Sequence, residues 1–284
     1  MQLVGIRKEV KINNGLFSIN VSQLLEDTTQ PDLVIIPALF GDMPAAIESN
    51  KQMLPWIKEQ HDNGAEVASL CVGAFLLAST GLLDGKKCST HWGFQNQFRT
   101  MFPKVEVMDG SIVTEQDRLY SSGGAMSYWN LLLYLVEKYT DRQTAILASK
   151  YFAIDIDRAS QAAFAMFQGQ KNHADEAVKK AQEFIDTNIK ERISIDELAG
   201  LVAEGRRSFE RRFKLATNNS VLEYINRVKV ELAKRNLEIS GKNINEVMYE
   251  VGYNDAKAFR TIFKKVTGLT PIEYRTKYNK LAVE

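Results

Sequence analysis

No apolar stretch in the sequence approaches the roughly 20 residues that a membrane-spanning helix needs, so no membrane partner is expected. Cysteine is nearly absent: Cys71 and Cys88 are the only two. Two thiols are too few for a disulfide scaffold or a cysteine zinc centre, and neither a metal nor a cofactor is expected. The first residues lack the charged, then apolar, then small-residue order of a secretory signal, which points to a reducing, cytoplasmic setting. Low-complexity tracts are missing too. Net charge is only +1, but it is unevenly spread. Residues 1–170 hold 14 Lys and Arg against 18 Asp and Glu, whereas residues 171–284 hold 22 against 17. A mildly acidic half joined to a basic half suggests two jobs, the second compatible with a polyanion.

What is present divides the same way. At 284 residues the chain can bury two cores. Over residues 1–150, strand and helix patterns alternate. Leu33–Ile36 is a β-branched run that reads as a buried parallel strand. Pro44–Asp62 reads as a helix with Ile47, Met53, Leu54 and Ile57 on its apolar side, stopped by Asn63-Gly64. A strand over 66–71 and a helix over 72–80 follow. Short strands are expected at Val105–Met108, Ser111–Thr114 and Leu119–Ser122, with turns at Asp109-Gly110 and Glu115–Asp117. Gly123-Gly124 opens a helix carrying Leu131, Leu132, Leu135 and Val136. This alternation implies a mostly parallel sheet covered on both faces. From about residue 141 onward the pattern is all helix, with residues 155–173 polar and loosely patterned.

The helical half contains a degenerate repeat. S-I-D-E-L-A-G-L-V-A-E-G-R-R-S-F-E-R-R-F-K (194–214) aligns with N-I-N-E-V-M-Y-E-V-G-Y-N-D-A-K-A-F-R-T-I-F-K (243–264). Each copy opens on a capping residue, Ser194 or Asn243, with an acid three positions later, Glu197 or Glu246. A short apolar helix follows, then a turn containing Gly205 or Gly252. The next helix carries phenylalanines four apart: Phe209 and Phe213, then Phe259 and Phe263. This is the grammar of helix-turn-helix. Opposite the phenylalanines lie Arg207 and Arg211, with Arg206, Arg212 and Lys214 nearby. Lys257, Arg260, Lys264 and Lys265 match them in the second copy. Such cations suit guanine edges and phosphates. Between the copies, Val221–Ser240 reads as one helix with Leu222, Ile225, Val228, Leu232 and Ala233 inward. Twenty residues span about 30 Å, close to the ~34 Å of one B-DNA turn.

V-G-Y-N-D-A-K-A-F-R-T-I-F-K-K-V-T-G-L-T-P-I-E-Y-R (251–275) resembles the second helix-turn-helix and closing T-G-x-T-P-x-x-Y-R of the AraC/XylS family of bacterial transcription regulators. The likeness covers roughly 176–277. It implies double-stranded DNA as partner, with Arg206, Arg207, Glu210, Arg211 and Lys214 as contact residues in the first copy. In the second copy it implies Asp255, Ala256, Lys257, Arg260, Thr261, Lys264 and Lys265. The first copy departs at A-T-N-N-S-V (216–221), which resembles A-T-G-x-S-P with Asn218 at the glycine position. Asparagine accepts left-handed backbone, so the turn is expected to form.

In the first half, S-L-C-V-G-A-F places Cys71 between a strand and a small-residue helix, where a helix N-terminus lowers a thiol pKa. His91 follows twenty positions on. C-V-G-A-F-L-L-A-S-T-G-L-L-D-G-K-K-C-S-T-H-W (71–92) resembles the PfpI-like, class I glutamine-amidotransferase-like domain found fused to AraC modules. Ser121-Ser122-Gly123-Gly124 resembles that domain's strand-end motif. In hydrolytic relatives the equivalent cysteine is the nucleophile and a histidine the base. Here Ala38 stands where related chains often carry glycine, and no acid partner is evident. Met1–Gly5 resembles the second strand of such domains, whose usual first strand and helix are absent. Three roles for Cys71 therefore stay open: nucleophile, lining of a sensor pocket, or packing. Parallel sheets bind ligands at the carboxyl ends of their strands, which groups Ala38, Cys71, Ser122 and Gly123 with His91.

The expected fold is thus a flavodoxin-like α/β parallel-sheet domain followed by an all-α tandem helix-turn-helix domain; for the start of the first, truncation, a misplaced start codon and a differently paired sheet stay open. Its parts are a sensor over 1–154, a linker over 155–175 and a DNA-binding domain over 176–280. The expected function is sequence-specific transcription regulation by a non-enzyme, controlled by a small nitrogen-containing effector, with a homodimer formed through the sensor. The rival is a cysteine-dependent amidase or deglycase-like hydrolase, with Cys71 and His91 catalytic and the helical half accessory.

Overall fold

The computed structural model describes residues 1–156 and 160–279. Residues 157–159 of the expected linker, and residue 280 at the end of the expected second domain, lie outside the described residues. The chain forms two compact units that divide between Gln161 and Ala162.

The first unit begins with β1 (Val4–Gly5), β2 (Glu9–Ile12), β3 (Phe17–Asn20), β4 (Gln23–Leu24) and β5 (Leu33–Ile36). Next come α1 (Met43–Ser49), α2 (Met53–Asp62), β6 (Glu66–Ser69), α3 (Ala74–Ser79), β7 (Lys87–Cys88) and α4 (Gln95–Met101). It closes with β8 (Glu106–Val107), β9 (Val113–Gln116), β10 (Leu119–Ser122), α5 (Tyr128–Tyr139) and α6 (Arg142–Tyr151). The main sheet has the order β5-β6-β10-β9, parallel across β5, β6 and β10 and antiparallel at β9. β5 ends this sheet, and β1 pairs with β4 in a separate ribbon. Ile35 is exposed on the face opposite the buried Val34 and Ile36, so β5 is not the fully buried strand its composition suggested.

Two boundaries differ from the sequence reading for identifiable reasons. Pro44–Asp62 is two helices, broken over Asn50–Gln52. Pro55 lacks an N–H and its ring clashes with the carbonyl four residues earlier, so it is accommodated only in the first turn of a new helix, here α2. The turn placed at Glu115–Asp117 falls instead at Asp117-Arg118. Both residues have positive φ (52° and 62°), as two-residue hairpin turns require. The core gathers under α3, where Phe75 meets Phe98 edge-on at 4.9 Å and Leu77 is fully buried.

The second unit holds α7 (Glu176–Thr187), α8 (Ile195–Leu201), α9 (Arg206–Thr217), α10 (Val221–Ile239), α11 (Ile244–Glu250), α12 (Ala256–Thr267) and α13 (Pro271–Tyr278). The repeat is structural as well as textual. α8 and α11 each have seven residues, and α9 and α12 each have twelve. Reciprocal capping boxes start α8 from Ser194 and α11 from Asn243, so the asparagine cap is as complete as the serine one. α9 ends on Asn218 at φ 56° and α12 on Gly268 at φ 76°, so asparagine does take the left-handed position. Thr217 Oγ1 donates to the carbonyls of Phe213 and Asn219, and Thr267 Oγ1 does the same to Phe263 and Leu269. Phe209, Phe213, Phe259 and Phe263 are all buried. One expectation fails: Leu222 is exposed, because α10 turns Val221, Tyr224 and Ile225 inward.

The turns between the paired helices are not equivalent. Gly252 supplies φ 75° in the second, but Ala203 supplies φ 53° in the first, while Gly205 sits at the N-cap of α9 with φ −70°. A left-handed alanine costs about 1 kcal/mol that glycine does not. Ala203→Gly is therefore expected to raise the melting temperature of the second unit's transition by a few degrees. A calorimetric scan showing no change or a decrease would contradict this assignment.

Candidate DNA-reading faces and ligand cavity

In α9 and α12 the phenylalanines are used up in the core, which leaves the opposite faces free. Arg207, Arg211 and Lys214 on α9 are exposed, as are Lys257, Arg260, Thr261, Lys264 and Lys265 on α12. Among the described residues, no ion pair or side-chain hydrogen bond engages Arg207, Arg211, Lys257, Arg260 or Lys265. The other flagged groups are partly committed. Arg206 pairs with Asp196 at 3.1 Å and with Glu210 at 3.7 Å. Lys214 Nζ donates to the carbonyl of Asn218 at 2.8 Å, at the end of its own helix. Asp255 caps α12, accepting from the N–H groups of Lys257 and Ala258, and Ala256 is half-buried behind it.

Arg212 departs from its sequence grouping. Its guanidinium grips both carboxylate oxygens of Asp175, at 2.9 and 2.8 Å, and also bonds Glu204. The bond from Arg212 holds the Asp175 carboxyl below its usual range, and Asp175 simultaneously caps α7. This arginine ties α9 to α7 and is not available to a polyanion.

In the first unit, Cys71 lies at the carboxyl end of β6 with φ 56°, in left-handed backbone that a cysteine adopts only when held. It is held on both sides. Its N–H donates to Ser122 Oγ at 3.2 Å, and its carbonyl accepts from Thr90 Oγ1 at 3.0 Å. Gly73 permits the following turn to touch β5, since a Cβ there would lie 2.5 Å from the carbonyl oxygen of Pro37. A cavity of about 470 Å³ opens above Cys71. Ala38, Cys71 and His91 line it, together with Leu39, Phe40, Gly41, Met43, Leu70, Val72, Phe94, Ala125 and Tyr128. Ser122 and Gly123 stand behind its wall: Ser122 is spent on the Cys71 amide, and Gly123 is covered by Gln161. A larger cavity of about 600 Å³ runs beside β5, but none of the flagged residues reaches it.

Chemically the cavity is poorly equipped for hydrolysis. Burial pushes the Cys71 thiol up and the His91 imidazole down, so both stay neutral near pH 7. His91 Nδ1 accepts the Gly93 N–H at 3.1 Å, so the neutral ring carries its proton on Nε2. In a catalytic triad Nδ1–H would donate to a carboxylate, leaving Nε2 free to take a proton. Here no Asp or Glu lines the cavity, and the ring is in the opposite tautomer. Among the described residues no cluster of three or more His, Cys, Asp or Glu is placed to hold a metal ion.

Sequence reasoning missed Gln161, which is 1% exposed. Its carboxamide accepts from the Gly124 N–H at 2.7 Å and donates to the carbonyls of Thr90 at 2.9 Å and Ser111 at 3.1 Å. Its own N–H donates to Gly110. A Cβ on Gly123 would collide with this carboxamide at 2.3 Å, so Gly123-Gly124 is a seat built for it. Thr90 and Gly124 immediately precede His91 and Ala125 of the cavity wall. The only sequence signal was the glycine pair.

Two family models match the chain: one for the DJ-1/PfpI family over residues 2–138, and one for a helix-turn-helix domain over residues 198–277. Among curated proteins, the HTH-type transcriptional regulator ArgR of Pseudomonas aeruginosa is 26% identical over 220 residues, 77% of this chain and 67% of that protein. The HTH-type transcriptional regulator GbdR of the same species is 26% identical over 236 residues, 79% of this chain and 61% of GbdR. The matched region thus spans about two thirds of these relatives' length. Among solved structures, a putative transcriptional regulator protein from Vibrio parahaemolyticus aligns over 53% of this chain and 78% of its own, with 24% identity and a TM-score of 0.48.

The raised Cys71 pKa has a measurable consequence. Alkylation by iodoacetamide needs the thiolate, so its rate should be slow at pH 7 and climb through and above the ordinary thiol range. A fast plateau already reached below pH 7 would contradict the geometry.

Proposed function

We propose that the chain is a helix-turn-helix regulator carrying a DJ-1/PfpI domain ahead of an AraC-type reader, and that it regulates transcription by binding specific DNA sequences. The observation that carries this is the pair of Phe-anchored helices, α9 and α12, each turning unpaired cations outward. Phosphate contacts from such residues position a protein on a duplex, and base contacts give it sequence preference. The first unit acts as sensor for a small nitrogen-containing metabolite. Supporting this are the size of the cavity above Cys71 and the lack of charged side chains on its wall. His91 Nε2–H, Tyr128 and the ring of Phe94 give that ligand a hydrogen-bond donor and aromatic faces for an amine or ammonium. Gln161, last residue of the sensor unit, relays a shift of the His91 or Ala125 backbone to the chain that enters the reader. The ligand regulates by favouring one arrangement of the bound chain over another.

A homodimer formed through the sensor fits the β2–β3 hairpin, whose Val10, Ile12, Phe17 and Ile19 make an exposed apolar face. Two-stranded ribbons are marginal in water without cover. Among the described residues no helix is long and apolar enough to cross a membrane. A cytoplasmic setting follows from the DNA partner of the proposed function.

Selection of preferred duplexes from a random pool, with and without cell metabolite extract, tests both halves of the reading. Arg207→Ala or Arg211→Ala should cost ~1–3 kcal/mol on the selected site and relax its sequence preference. Lys264→Ala or Lys265→Ala should weaken binding to all duplexes alike. Equal loss on selected and random DNA for Arg207→Ala would remove that residue from base reading.

A further inference from the structure

Lys229 is a lysine in the wrong place for a lysine. It lies at the middle of α10 and is only 6% exposed. Among the described residues no carboxylate pairs with it. Its ammonium instead donates to two backbone carbonyls, those of Glu191 and Gly252, each at 3.2 Å, and sits 5.4 Å from the centre of the Tyr253 ring. Those carbonyls belong to different modules. Glu191 is in the segment that leads from α7 into the first helix-turn-helix, and Gly252 is the turn of the second. The two segments come close enough there that a Cβ on Gly252 would lie 2.5 Å from the Lys190 carbonyl oxygen and 2.6 Å from Lys229 Nζ. Tyr253 in turn bonds Asn226, one turn earlier on α10, at 2.8 Å. The junction therefore adds a contact to the covalent link: α10 connects the modules through its backbone, and the Lys229 side chain draws the Glu191 and Gly252 segments together against it.

Burying an ammonium with only neutral partners is costly, and desolvation pulls the Lys229 pKa down accordingly. A methionine of similar length would fill the space without that cost. The charge does what methionine would not: it holds two carbonyls from separate modules toward one point.

We propose that Lys229 is a positioning residue for DNA reading, clamping the entry segment of the first module to the turn of the second and so setting the number of base pairs between the two sub-sites one chain reads. This rests on the DNA-reading role above. Each base pair added between sub-sites moves the second by ~3.4 Å and turns it by roughly 35°, so a rigid reader tolerates no slippage. A reader hinged only at α10 can flex to follow.

The test uses the full chain and the duplex selected from a random pool, remade with one or two base pairs inserted or deleted between the sub-sites. Wild type should lose at least about tenfold in affinity per base pair of misplacement. Lys229→Met should bind the best duplex more weakly and lose only about two- to threefold per base pair, and Lys229→Gln should behave likewise. A variant with wild-type circular dichroism and the steep wild-type spacing profile overturns the proposal, as does a flat profile for wild type itself. Failure of both variants to fold also overturns it, because Lys229 would then serve the fold and not the spacing. If no duplex is selected at all, it is the DNA-reading role that fails.

Discussion

Helix α10 belongs to both hydrophobic clusters of the reader. Val221, Tyr224 and Ile225 pack with Phe209 and Phe213 of the first module, while Val230, Ala233 and Leu237 pack with Phe259 and Phe263 of the second. Leu232 touches both. Nineteen residues of helix span about 28 Å, and the inward apolar positions other than Leu232 divide between the two modules. Each recognition helix is oriented by its two phenylalanines, and the phenylalanines seat on this shared rod. The direction in which Arg207 or Arg260 points is therefore fixed by packing some distance away. Removing an apolar contact on α10 would disturb both cationic faces at once, without touching a charge.

The first unit is organised around a different constraint, the left-handed backbone at Cys71. Ser122 and Thr90 satisfy its N–H and carbonyl, so the two strand-end segments that carry them converge on one point. The cavity exists because these segments, the loop after β5 and the start of α5 all meet there. That geometry would suit a nucleophile, but the surrounding electrostatics do not. A neutral thiol faces an imidazole locked in the wrong tautomer, with no carboxylate to reorient it. What remains is a pinned, mostly apolar chamber beside the seat of Gln161.

The tandem helix-turn-helix was readable because its signals are local. Capping boxes, phenylalanines four apart and a left-handed C-cap all follow from residues within a few positions of one another, and the structure realises each. The reading failed where a distant partner decides. Leu222 looked inward by periodicity but lies one step off the face that two modules share. Arg212 looked like another surface cation until Asp175, far back in the chain, took two of its nitrogens and Glu204 the third. Lys229 was invisible, since nothing local distinguishes a clamping lysine from a solvated one. Gln161 fell in a stretch whose polarity suggested a slack linker, and only the glycine pair at 123–124 hinted that something must sit there. In the α/β half, the break at Asn50–Gln52 follows from Pro55 alone and was legible in principle. The isolation of β5 at a sheet edge depends on strand pairing, which sequence pattern does not specify.

The central claim is that one chain presents two recognition helices to successive major grooves on a single DNA face. Guanine-methylation protection on the selected duplex tests it most directly, because N7 lies in the major groove. The account predicts two protected patches about 10 base pairs apart, on the same side of the helix, at a protein concentration that loads one chain per duplex. A single protected patch, or two on opposite faces, would contradict it.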